Sequence, residues 1–400
     1  MGEFEQTRLG NLCDFTQGVQ IADKDTIKQP QDGYVRYIYI RDLFTDKFPV
    51  YVKDVYPNKL LLSGDIVMVN TGNTSGSVYQ AKEGVLCNNA FKIAVKSSKL
   101  NKLDKGFLWV YLNSDARERM LKRLFNPAGQ PHVGHKNVAR LDISLPPLPE
   151  QRKIAKILST WDKAISTTER LIDNSKQQKK ALMQQLLTGA HTQRKRLLDD
   201  SGKPFEGEWE EVKLADVVEF NNGKGHEKHI VEDGKYLVVN SKYISSDGLV
   251  KKTTDSAFCL ANVGDVLMVM SDVPNGKAIA KCLYVDTSEK FTVNQRVARF
   301  RPKSINSIFL YYTLNRNSYY LQFDDGVKQT NLRKDEVLDW PVFRPSDEEQ
   351  QKIASVLVNA DQEIELLEQQ LADLKQEKKA LMQQLLTGKR RVKVDDKEVA

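Results

Sequence analysis

The sequence predicts an α+β fold: two mixed α/β globular domains joined by two long antiparallel coiled-coil helices, with a pseudo-two-fold internal repeat. Three observations support this fold class. The segment KKALMQQLLTG occurs twice, at 179–189 and at 378–388. Each occurrence ends a stretch of about 40 residues whose apolar positions alternate at spacings of three and four. Each stretch follows a region of short strand-like segments separated by Gly- and Asn-rich loops.

The internal repeat covers most of the chain. Residues 150–165 match 349–364 at the same offset, SGDIVMV (63–69) matches VGDVLMV (263–269), and LGNLCDFTQG (9–18) matches LADVVEFNNG (214–223). The helical parts match closely, whereas the globular parts match loosely. We therefore expect the two helices to perform the same task, and the two globular parts to share a framework and differ in detail.

The repeat sets the domain boundaries. The predicted order is a globular domain (1–148), a helix (149–189), a linker (190–211), a second globular domain (212–346), a second helix (347–388) and a charged tail (389–400). Strands are predicted at 34–40, 64–69, 91–96, 236–241, 264–270 and 296–302. One helix per globular domain is predicted, near 107–122 and 307–321.

The two long helices are predicted to pair with each other. The first (150–189) has eight Lys/Arg and four Asp/Glu, and the second (347–388) has four Lys/Arg and nine Asp/Glu. Opposite charge favours this pair over self-pairing. A plain helical hairpin and a self-associating coiled coil are the alternatives. The predicted seam, which is also the candidate spacer and subunit interface, contains Leu158, Trp161, Ile165, Ile172, Leu182, Leu186, Leu357, Ile364, Leu367, Leu371, Leu374, Leu381 and Leu385.

Composition points to an ordinary globular protein. Hydrophobic residues make up 40%, and no apolar stretch reaches the roughly 18–20 residues of a membrane helix. The polar N-terminus lacks a signal-peptide core, so we expect a cytoplasmic protein. Cys13, Cys87, Cys259 and Cys282 form no CxxC pair and are expected to be buried reduced thiols. The net charge is +7, and because the helices nearly cancel, the positive charge belongs to the globular domains and loops.

Polar loop residues in both copies form a candidate DNA-binding surface. Asn and Gln suit adenine, while Arg and Lys suit guanine or phosphate. The alternative is that turn residues of this kind serve only the backbone geometry. The candidates are Asn73, Thr74, Asn88, Asn89, Lys92, Gln130, His132, His135 and Lys136 in the first copy, and Asn240, Lys242, Asn275, Lys277, Asn294, Gln295, Arg296, Lys328, Gln329, Asn331, Arg333 and Lys334 in the second.

No catalytic motif is complete in this sequence. Residues 275–278 (NGKA) lack the upstream Gly and the Ser/Thr of a phosphate-binding loop. Residues 126–129 (NPAG) lack the aromatic residue that adenine methyltransferases need, and 211–213 (EVK) lacks the partner motif of a nuclease. His226, Glu227, His229 and Glu232 are a weak metal candidate. The sequence predicts a binding protein with no catalytic residues, metal or cofactor of its own.

The two helical segments resemble the specificity subunits of type I restriction–modification enzymes, over almost the whole chain. The resemblance rests on residues 146–151 (PPLPEQ) with Ile154 and on 182–189, and in the second copy on Glu349, Gln350, Ile353 and 381–388. One departure is the sequence at 343–346 (FRPS), where the family usually has residues like PPL.

The resemblance implies that 1–148 and 212–346 are target recognition domains, each reading one half of an asymmetric bipartite site in double-stranded DNA. The helices then act as a spacer, with half-sites about 10 base pairs apart. They also dock two methyltransferase (modification) subunits, which bind S-adenosylmethionine and methylate adenine. Restriction (translocase) subunits, with ATP and Mg²⁺, complete such complexes.

Three alternatives to this reading remain. The chain could be a coiled-coil interaction scaffold without DNA readout, or an enzyme with an unrecognised site. It could also be the specificity subunit of a methylation-only system, which the sequence does not distinguish from a restricting one.

Overall fold

The structure, a computed structural model, describes residues 4–123, 132–187, 196–274, 276–287 and 290–394. The chain divides into two compact units. The first comprises Met1–Glu169 and Gln369–Ala400, and the second comprises Arg170–Glu368. Each unit therefore contains one globular domain, the beginning of the helix that follows that domain, and the end of the other long helix. The division differs from the predicted domains because each long helix contributes to both units.

The first globular domain alternates short strands with short helices. Its helices are α1 (Leu9–Leu12), α2 (Lys105–Leu112), α3 (Asp115–Lys122) and α4 (His135–Ala139), followed by the long helix α5 (Leu148–Leu187). Its strands are β1 (Glu5–Arg8), β2 (Cys13–Gln17), β3 (Tyr34–Ile38), β4 (Tyr51–Lys53), β5 (Leu60–Leu61), β6 (Ile66–Val69), β7 (Val78–Gln80), β8 (Gly84–Leu86), β9 (Ala90–Val95) and β10 (Asp142–Leu145).

These strands form two four-stranded sheets and one pair. The antiparallel sheet has the order β2-β9-β6-β7, and the mixed sheet has the order β4-β3-β8-β5 with β3 and β8 parallel. Strand β1 pairs with β10, so that Glu5 lies opposite Leu145. Strand β10 leads directly into α5, and this pairing therefore ties the N-terminus to the start of the long helix.

The second globular domain repeats the arrangement of the first, with one more short helix and three more strands among the described residues. Its helices are α6 (Leu214–Val217), α7 (Ser241–Ser245), α8 (Ser307–Leu314), α9 (Ser318–Leu321) and α10 (Lys334–Leu338), followed by the long helix α11 (Asp347–Leu386). Its strands are β11 (Glu210–Lys213), β12 (Val218–Asn222), β13 (Ile230–Val231), β14 (Tyr236–Val239), β15 (Thr253–Thr254), β16 (Leu260–Ala261), β17 (Val266–Val269), β18 (Ser271–Asp272), β19 (Cys282–Tyr284), β20 (Phe291–Val293), β21 (Val297–Pro302), β22 (Thr330–Asn331) and β23 (Pro341–Arg344).

The sheets of the second domain repeat those of the first. The antiparallel sheet β12-β21-β17-β19 corresponds to β2-β9-β6-β7, and the mixed sheet β13-β15-β14-β20-β16 again contains one parallel pair, β14 with β20. Strand β11 pairs with β23, as β1 pairs with β10. The second domain also has a two-stranded ribbon, β18 with β22. The predicted α+β class and internal repeat are confirmed.

The two long helices run antiparallel within each unit. In the first unit, Asp162 lies 2.5 Å from Lys378 and Glu169 lies 2.7 Å from Lys375, so moving forward along α5 means moving backward along α11. In the second unit, Glu368 lies 2.6 Å from Lys176, and Asp361 pairs with Lys179. Opposite charges therefore face each other, as predicted. Every predicted seam residue is buried or half-buried, and neighbouring helix positions are mostly exposed.

The end of each long helix packs into the core of the other repeat. Leu385 and Leu386 belong to the core of the first unit, together with Ile154 and Leu158 from the start of α5. Leu186, with its half-buried neighbours, belongs to the core of the second unit, where the start of α11 packs. This exchange gives a physical reason for the duplicated KKALMQQLLTG, because both copies pack against the same kind of surface.

Two local predictions were wrong. The helix predicted near 107–122 is two helices, because the Ser114 hydroxyl accepts the Arg117 N–H at 3.2 Å and starts a new helix. The helix predicted near 307–321 is likewise split into α8 and α9, where the Asn317 side chain accepts the Tyr319 N–H at 2.9 Å. In both cases a capping side chain interrupts an otherwise continuous helical pattern.

All four cysteines are buried and free, as expected. Burial raises the pKa of the Cys13 thiol to about 12, so this thiol is not a reactive thiolate at neutral pH. Within the described residues, none of the helices combines the length and apolarity required for crossing a bilayer.

Candidate nucleic-acid interface

Three segments of the first unit meet next to the end of β6. The Asn70 N–H donates to the Asn89 carbonyl at 3.0 Å, and the Val133 N–H donates to the Asn70 carbonyl at 2.8 Å. Thr71 and His132 form an isolated antiparallel bridge. We call residues 70–77, 87–89 and 132–136 the loop edge of the first unit. Backbone hydrogen bonds hold the three segments of this edge together, and exposed side chains such as Asn73 and Thr74 are available for other contacts.

The second unit has an equivalent loop edge, made of residues 270–274, 276–279, 294–296 and 327–334. The Met270 N–H donates to the Arg296 carbonyl at 2.9 Å, and the Leu332 N–H donates to the Met270 carbonyl at 2.8 Å. Ser271 lies opposite Asn331 in the β18–β22 ribbon. These bonds repeat the scheme of the first unit, so both edges share one backbone framework.

A glycine at the end of β2 or β12 lets each strand pass its loop edge closely. The Gly18 N–H donates to the Ala90 carbonyl at 3.0 Å, and the Gly223 N–H donates to the Val297 carbonyl at 2.9 Å. A Cβ atom on Gly18 would collide with the Cys87 carbonyl, and one on Gly223 would collide with the Asn294 carbonyl. Only glycine permits this approach without moving the backbone.

An arginine supports each loop edge from within its unit. Arg117 is buried, and its Nη1 donates to the Gly76 carbonyl at 2.8 Å. Burial lowers the pKa of this guanidinium. In the second unit, Arg316 Nη1 donates to the Ile279 carbonyl at 2.9 Å. Sequence reasoning missed both residues, because an isolated arginine carries no motif. They are positioning residues that fix the loops.

The structure brings most of the predicted residues of the first unit to its loop edge. Asn73, Thr74, Asn89, His132 and Lys136 are exposed there. His132 Nδ1 lies 3.1 Å from the Thr71 hydroxyl, which orients the imidazole.

The other predicted residues of the first unit are less available. Asn88 is half-buried, and its amide donates to Gln20 at 3.3 Å. His135 is half-buried, with its ring centroid 6.2 Å from that of Phe91. Gln130 and the 126–129 segment lie outside the described residues.

Lys92 has a structural partner. It lies in the middle of β9, opposite Val67, and its ammonium is 2.6 Å from the Asp65 carboxylate. Asp65 also lies 3.6 Å from Lys105 and accepts the Leu62 N–H at 2.9 Å. This arrangement favours a structural role for Lys92 over the predicted contact with DNA.

The second unit presents a larger set of the predicted residues. The exposed ones are Lys242, Lys277, Gln295, Arg296, Lys328, Gln329, Asn331, Arg333 and Lys334. Two amides have local uses instead. Asn240 accepts the Tyr243 N–H at 2.8 Å and caps α7, and Asn294 is buried and accepts the Gln295 N–H at 2.5 Å. For these two, the structural alternative is favoured. Asn275 lies outside the described residues.

The weak metal candidate of the sequence has another arrangement. His226 is buried, which lowers its pKa, and its Nε2 lies 3.0 Å from the Thr292 hydroxyl. The Glu227 carboxylate lies 3.5 Å from the Asn294 amide and 3.4 Å from the Gln295 amide. Among the described residues, no three His, Cys, Asp or Glu side chains are grouped closely enough to hold a metal ion. Glu227 thus orients two amides next to the loop edge.

The Glu-Gln pair at the start of each long helix anchors the chain that follows the other helix. Arg391 donates to the buried Glu150 at 2.6 and 2.8 Å. Arg196 donates to the buried Glu349 at 3.0 Å, and the Trp209 indole donates to the same carboxylate at 3.1 Å. These charge-assisted bonds close each unit in the same way.

The adjacent glutamines bind the helix to the globular domain. Gln151 accepts the Asp104 N–H at 2.9 Å and donates to the Pro146 carbonyl at 2.8 Å. Gln350 accepts the Asn306 N–H at 2.8 Å and donates to the Pro345 carbonyl at 2.9 Å. The shared Glu-Gln sequence therefore reflects a shared set of buried hydrogen bonds.

We call the side of each unit that packs against the long helices its helix side. The two helix sides differ where α8 meets α11 in the second unit. In the second unit, the Tyr312 hydroxyl donates to Asp361 at 2.6 Å. The corresponding residue of the first unit, Val110, lines a groove of about 970 Å³ that Asp162 and Lys378 also border. The first unit thus has an open groove beside its helix pair where the second unit has a tyrosine.

Comparison with known proteins identifies the family. The model of the type I restriction modification DNA specificity domain matches residues 1–175 and 206–376, one match for each repeat. The chain belongs to this family, and it is a specificity subunit of a type I restriction–modification system, with domains for DNA sequence recognition.

Two relatives from Methanocaldococcus jannaschii match nearly the whole chain. The type I restriction enzyme MjaVIII specificity subunit is 28% identical, over 98% of this chain and 94% of the relative. The putative type I restriction enzyme MjaX specificity subunit is 25% identical, over 94% of this chain and 88% of the relative.

Two solved structures share the fold. The specificity subunit from M. genitalium is 16% identical, with a TM-score of 0.59 and coverage of 96% of both chains. A chain from a structural study of complex assembly and conformational transition in a type I system is 18% identical, with a TM-score of 0.60 and coverage of 98% and 99%.

Proposed function

We propose that this chain is a non-catalytic subunit that reads an asymmetric bipartite site in duplex DNA, one half-site with each loop edge. One observation supports this most strongly. Both edges use the same backbone hydrogen bonds, yet they present different side chains at corresponding places, such as His132 opposite Thr71 in the first unit and Asn331 opposite Ser271 in the second. A shared framework with different readers suits two different half-sites.

In this proposal the helix pair is a spacer and a docking surface. Each helix has 40 residues and would be roughly 60 Å long if straight. Two modification subunits dock on it, and restriction subunits complete a cleaving complex. Those partners supply the binding of S-adenosylmethionine, ATP and Mg²⁺, while this chain supplies no cofactor site. The complex acts on DNA in the cytoplasm.

Selection of DNA from a random duplex library tests the readout. The purified complex of this chain with its modification subunit is compared with two double variants, Asn73→Ala/Thr74→Ala and Gln329→Ala/Asn331→Ala. Each variant should relax the preference in one half-site, by about 1–3 kcal/mol for a bidentate contact, and leave the other half unchanged. Gln29→Ala/Gln31→Ala, which removes two exposed amides outside both loop edges and both long helices, is the control.

The same experiment separates the proposal from its alternative, an interaction scaffold without DNA readout. A DNA reader should bind duplex DNA with an affinity that falls steeply as salt rises, because its Lys and Arg contacts release counterions. If the assembled complex selects no sequence and shows no salt dependence, the scaffold is the correct function.

The spacer role has its own test. Inserting one heptad into both long helices should lengthen the unspecified gap by about three base pairs, since seven residues add roughly 10 Å. If the two half-sites keep their original spacing, the helices do not set the gap.

A further inference from the structure

Two valines are unusually exposed at the loop edge of the second unit. Val273 directly follows β18 and is 58% exposed, and Val327 lies shortly before β22 and is 77% exposed. The ribbon brings their segments together, because Asp272 lies opposite Thr330. Exposed apolar side chains that cluster at a binding surface indicate contact with a partner.

Both valines are held in fixed positions by carboxylates. Asp272 accepts the N–H groups of Val273 at 2.9 Å, Ala278 at 2.7 Å and Ile279 at 3.1 Å. Asp325 accepts the Val327 N–H at 2.8 Å and the Lys328 N–H at 3.0 Å. These bonds fix the backbone at Val273 and Val327 before any partner binds, and the two methyl-bearing side chains are presented at little further entropic cost.

The neighbours of the valines are suited to DNA. Lys277, Lys328 and Arg333 are exposed and can contact phosphates. The Gln329 amide donates to the Ser271 hydroxyl at 2.8 Å and to Asn331 at 3.2 Å. Amides of this kind recognise adenine, whose partner thymine carries the methyl group that lies in the major groove. A two-stranded ribbon fits that groove.

We propose that Val273 and Val327 contact thymine methyl groups in the half-site read by the second unit, and so select A·T pairs there. The inference rests on the proposed function. The first unit has Asn73 and Thr74 in its corresponding loop and no exposed valine among the described residues of its loop edge. Recognition of thymine methyl groups by valine therefore belongs to the second half-site.

Deoxyuridine tests this proposal, since it differs from thymidine only by the missing methyl group on the base. The assembled complex is titrated with its target duplex, in which each thymine of the second half-site, on either strand, is replaced in turn. We expect about fourfold weaker binding at one or two positions, for loss of one buried methyl group. The same replacement at thymines of the unspecified gap, which neither loop edge reads, serves as the control.

Valine variants link the effect to these side chains. In Val273→Ala/Val327→Ala, thymine and deoxyuridine duplexes should bind equally, while the preference at the first half-site is retained. The proposal is overturned if the second half-site has no A·T pair, if deoxyuridine binds as well as thymine at every position, or if the discrimination persists in the double variant. If the complex of the unsubstituted chain shows no sequence preference at all, the proposed function itself is refuted.

Discussion

The helix side and the loop edge of each unit have diverged to different extents. On the helix side, Glu150 and Glu349 bind equivalent arginines, and Gln151 and Gln350 make equivalent pairs of hydrogen bonds. At the loop edge, the backbone bonds and the supporting arginines, Arg117 and Arg316, are equivalent, whereas the exposed side chains differ. The comparison shows how one fold keeps a fixed assembly surface while its binding surface varies.

The physical reason lies in which atoms hold each surface together. Side chains make the helix-side bonds, so a substitution there leaves a buried polar group without a partner. Backbone atoms make the loop-edge bonds, as from Asn70 to Asn89 and from Met270 to Arg296. Exposed side chains at that edge that do not bond to the backbone, unlike that of Asp272, can therefore change without loss of the framework.

Truncating the helix ends should have the largest effect on stability. Leu186→Ala should destabilise the second unit and Leu385→Ala the first, each by about 2–5 kcal/mol, because both side chains are buried in cores. Hydrogen–deuterium exchange resolved by peptide measures the two units separately. Leu366→Ala, at an exposed position of α11, is the control. Very unequal losses would contradict the equivalence of the helix sides.

Removing the arginine that pairs with the buried glutamate at the start of each long helix should have the next largest effect on stability. Arg391→Ala and Arg196→Ala each leave a buried carboxylate without its cation, and we expect a loss of about 2 kcal/mol in the corresponding unit. Each carboxylate keeps one other donor, the Trp209 indole for Glu349 and the Val392 N–H for Glu150, so the two losses should be similar. Hydrogen–deuterium exchange, resolved by peptide over a urea titration, measures the free energy of unfolding of each unit in both variants. Equal stability of the variants and the parent would show that these anchors contribute nothing.

The two units should differ in how much an aspartate of the helix seam contributes to the free energy of unfolding. Asp361→Asn should cost about 1 kcal/mol, because Asp361 accepts the Tyr312 hydroxyl and pairs with Lys179. Asp162→Asn should cost only a few tenths of a kcal/mol, as expected for an exposed pair. In a Tyr312→Phe background, Asp361→Asn should cost little more than Asp162→Asn does, and a double-mutant cycle measures this coupling. If Asp361→Asn costs as much in that background as in the parent, the tyrosine does not cause the difference between the units.

The ionised Asp65 carboxylate should make a smaller contribution to the stability of the first unit, and acid should remove this contribution. Burial raises the pKa of Asp65, but hydrogen bonds from Lys92 and the Leu62 N–H, with the charges of Lys92 and Lys105, outweigh burial and hold it below its usual value. The stabilisation is therefore complete above about pH 4 and is lost as the pH falls through the lowered pKa.

Asp65→Asn is the variant that tests this acid dependence. It should destabilise the first unit at pH 7 by about 1 kcal/mol and have no effect at the acid end of the range. Denaturant titrations at several pH values measure the difference. A loss that is the same at every pH would show that ionisation of Asp65 is not involved.

The sequence predicted the large elements and not the small ones. The duplicated KKALMQQLLTG and the three-four spacing predicted both long helices, because helical periodicity repeats over many turns. Strands of two residues, such as β18 and β22, have no such signal, and their pairing depends on long-range contacts. The division of each predicted short helix depended on single capping residues, Ser114 and Asn317.

The structure places most of the predicted site residues that are exposed on the two loop edges. Their contact with DNA stays a prediction. Lys92, Asn240 and Asn294 have structural partners that could not be inferred from residue type, since those partners are distant in sequence or are local backbone groups. Arg117 and Arg316 were missed for the same reason.

Methylation of genomic DNA tests the central claim most directly. DNA from a host that expresses this chain with its modification subunit is sequenced by a single-molecule method that detects methyladenine. The account predicts one new bipartite motif whose two halves differ and are separated by an unspecified gap. A palindromic motif, or no new motif although the complex is assembled, would contradict it.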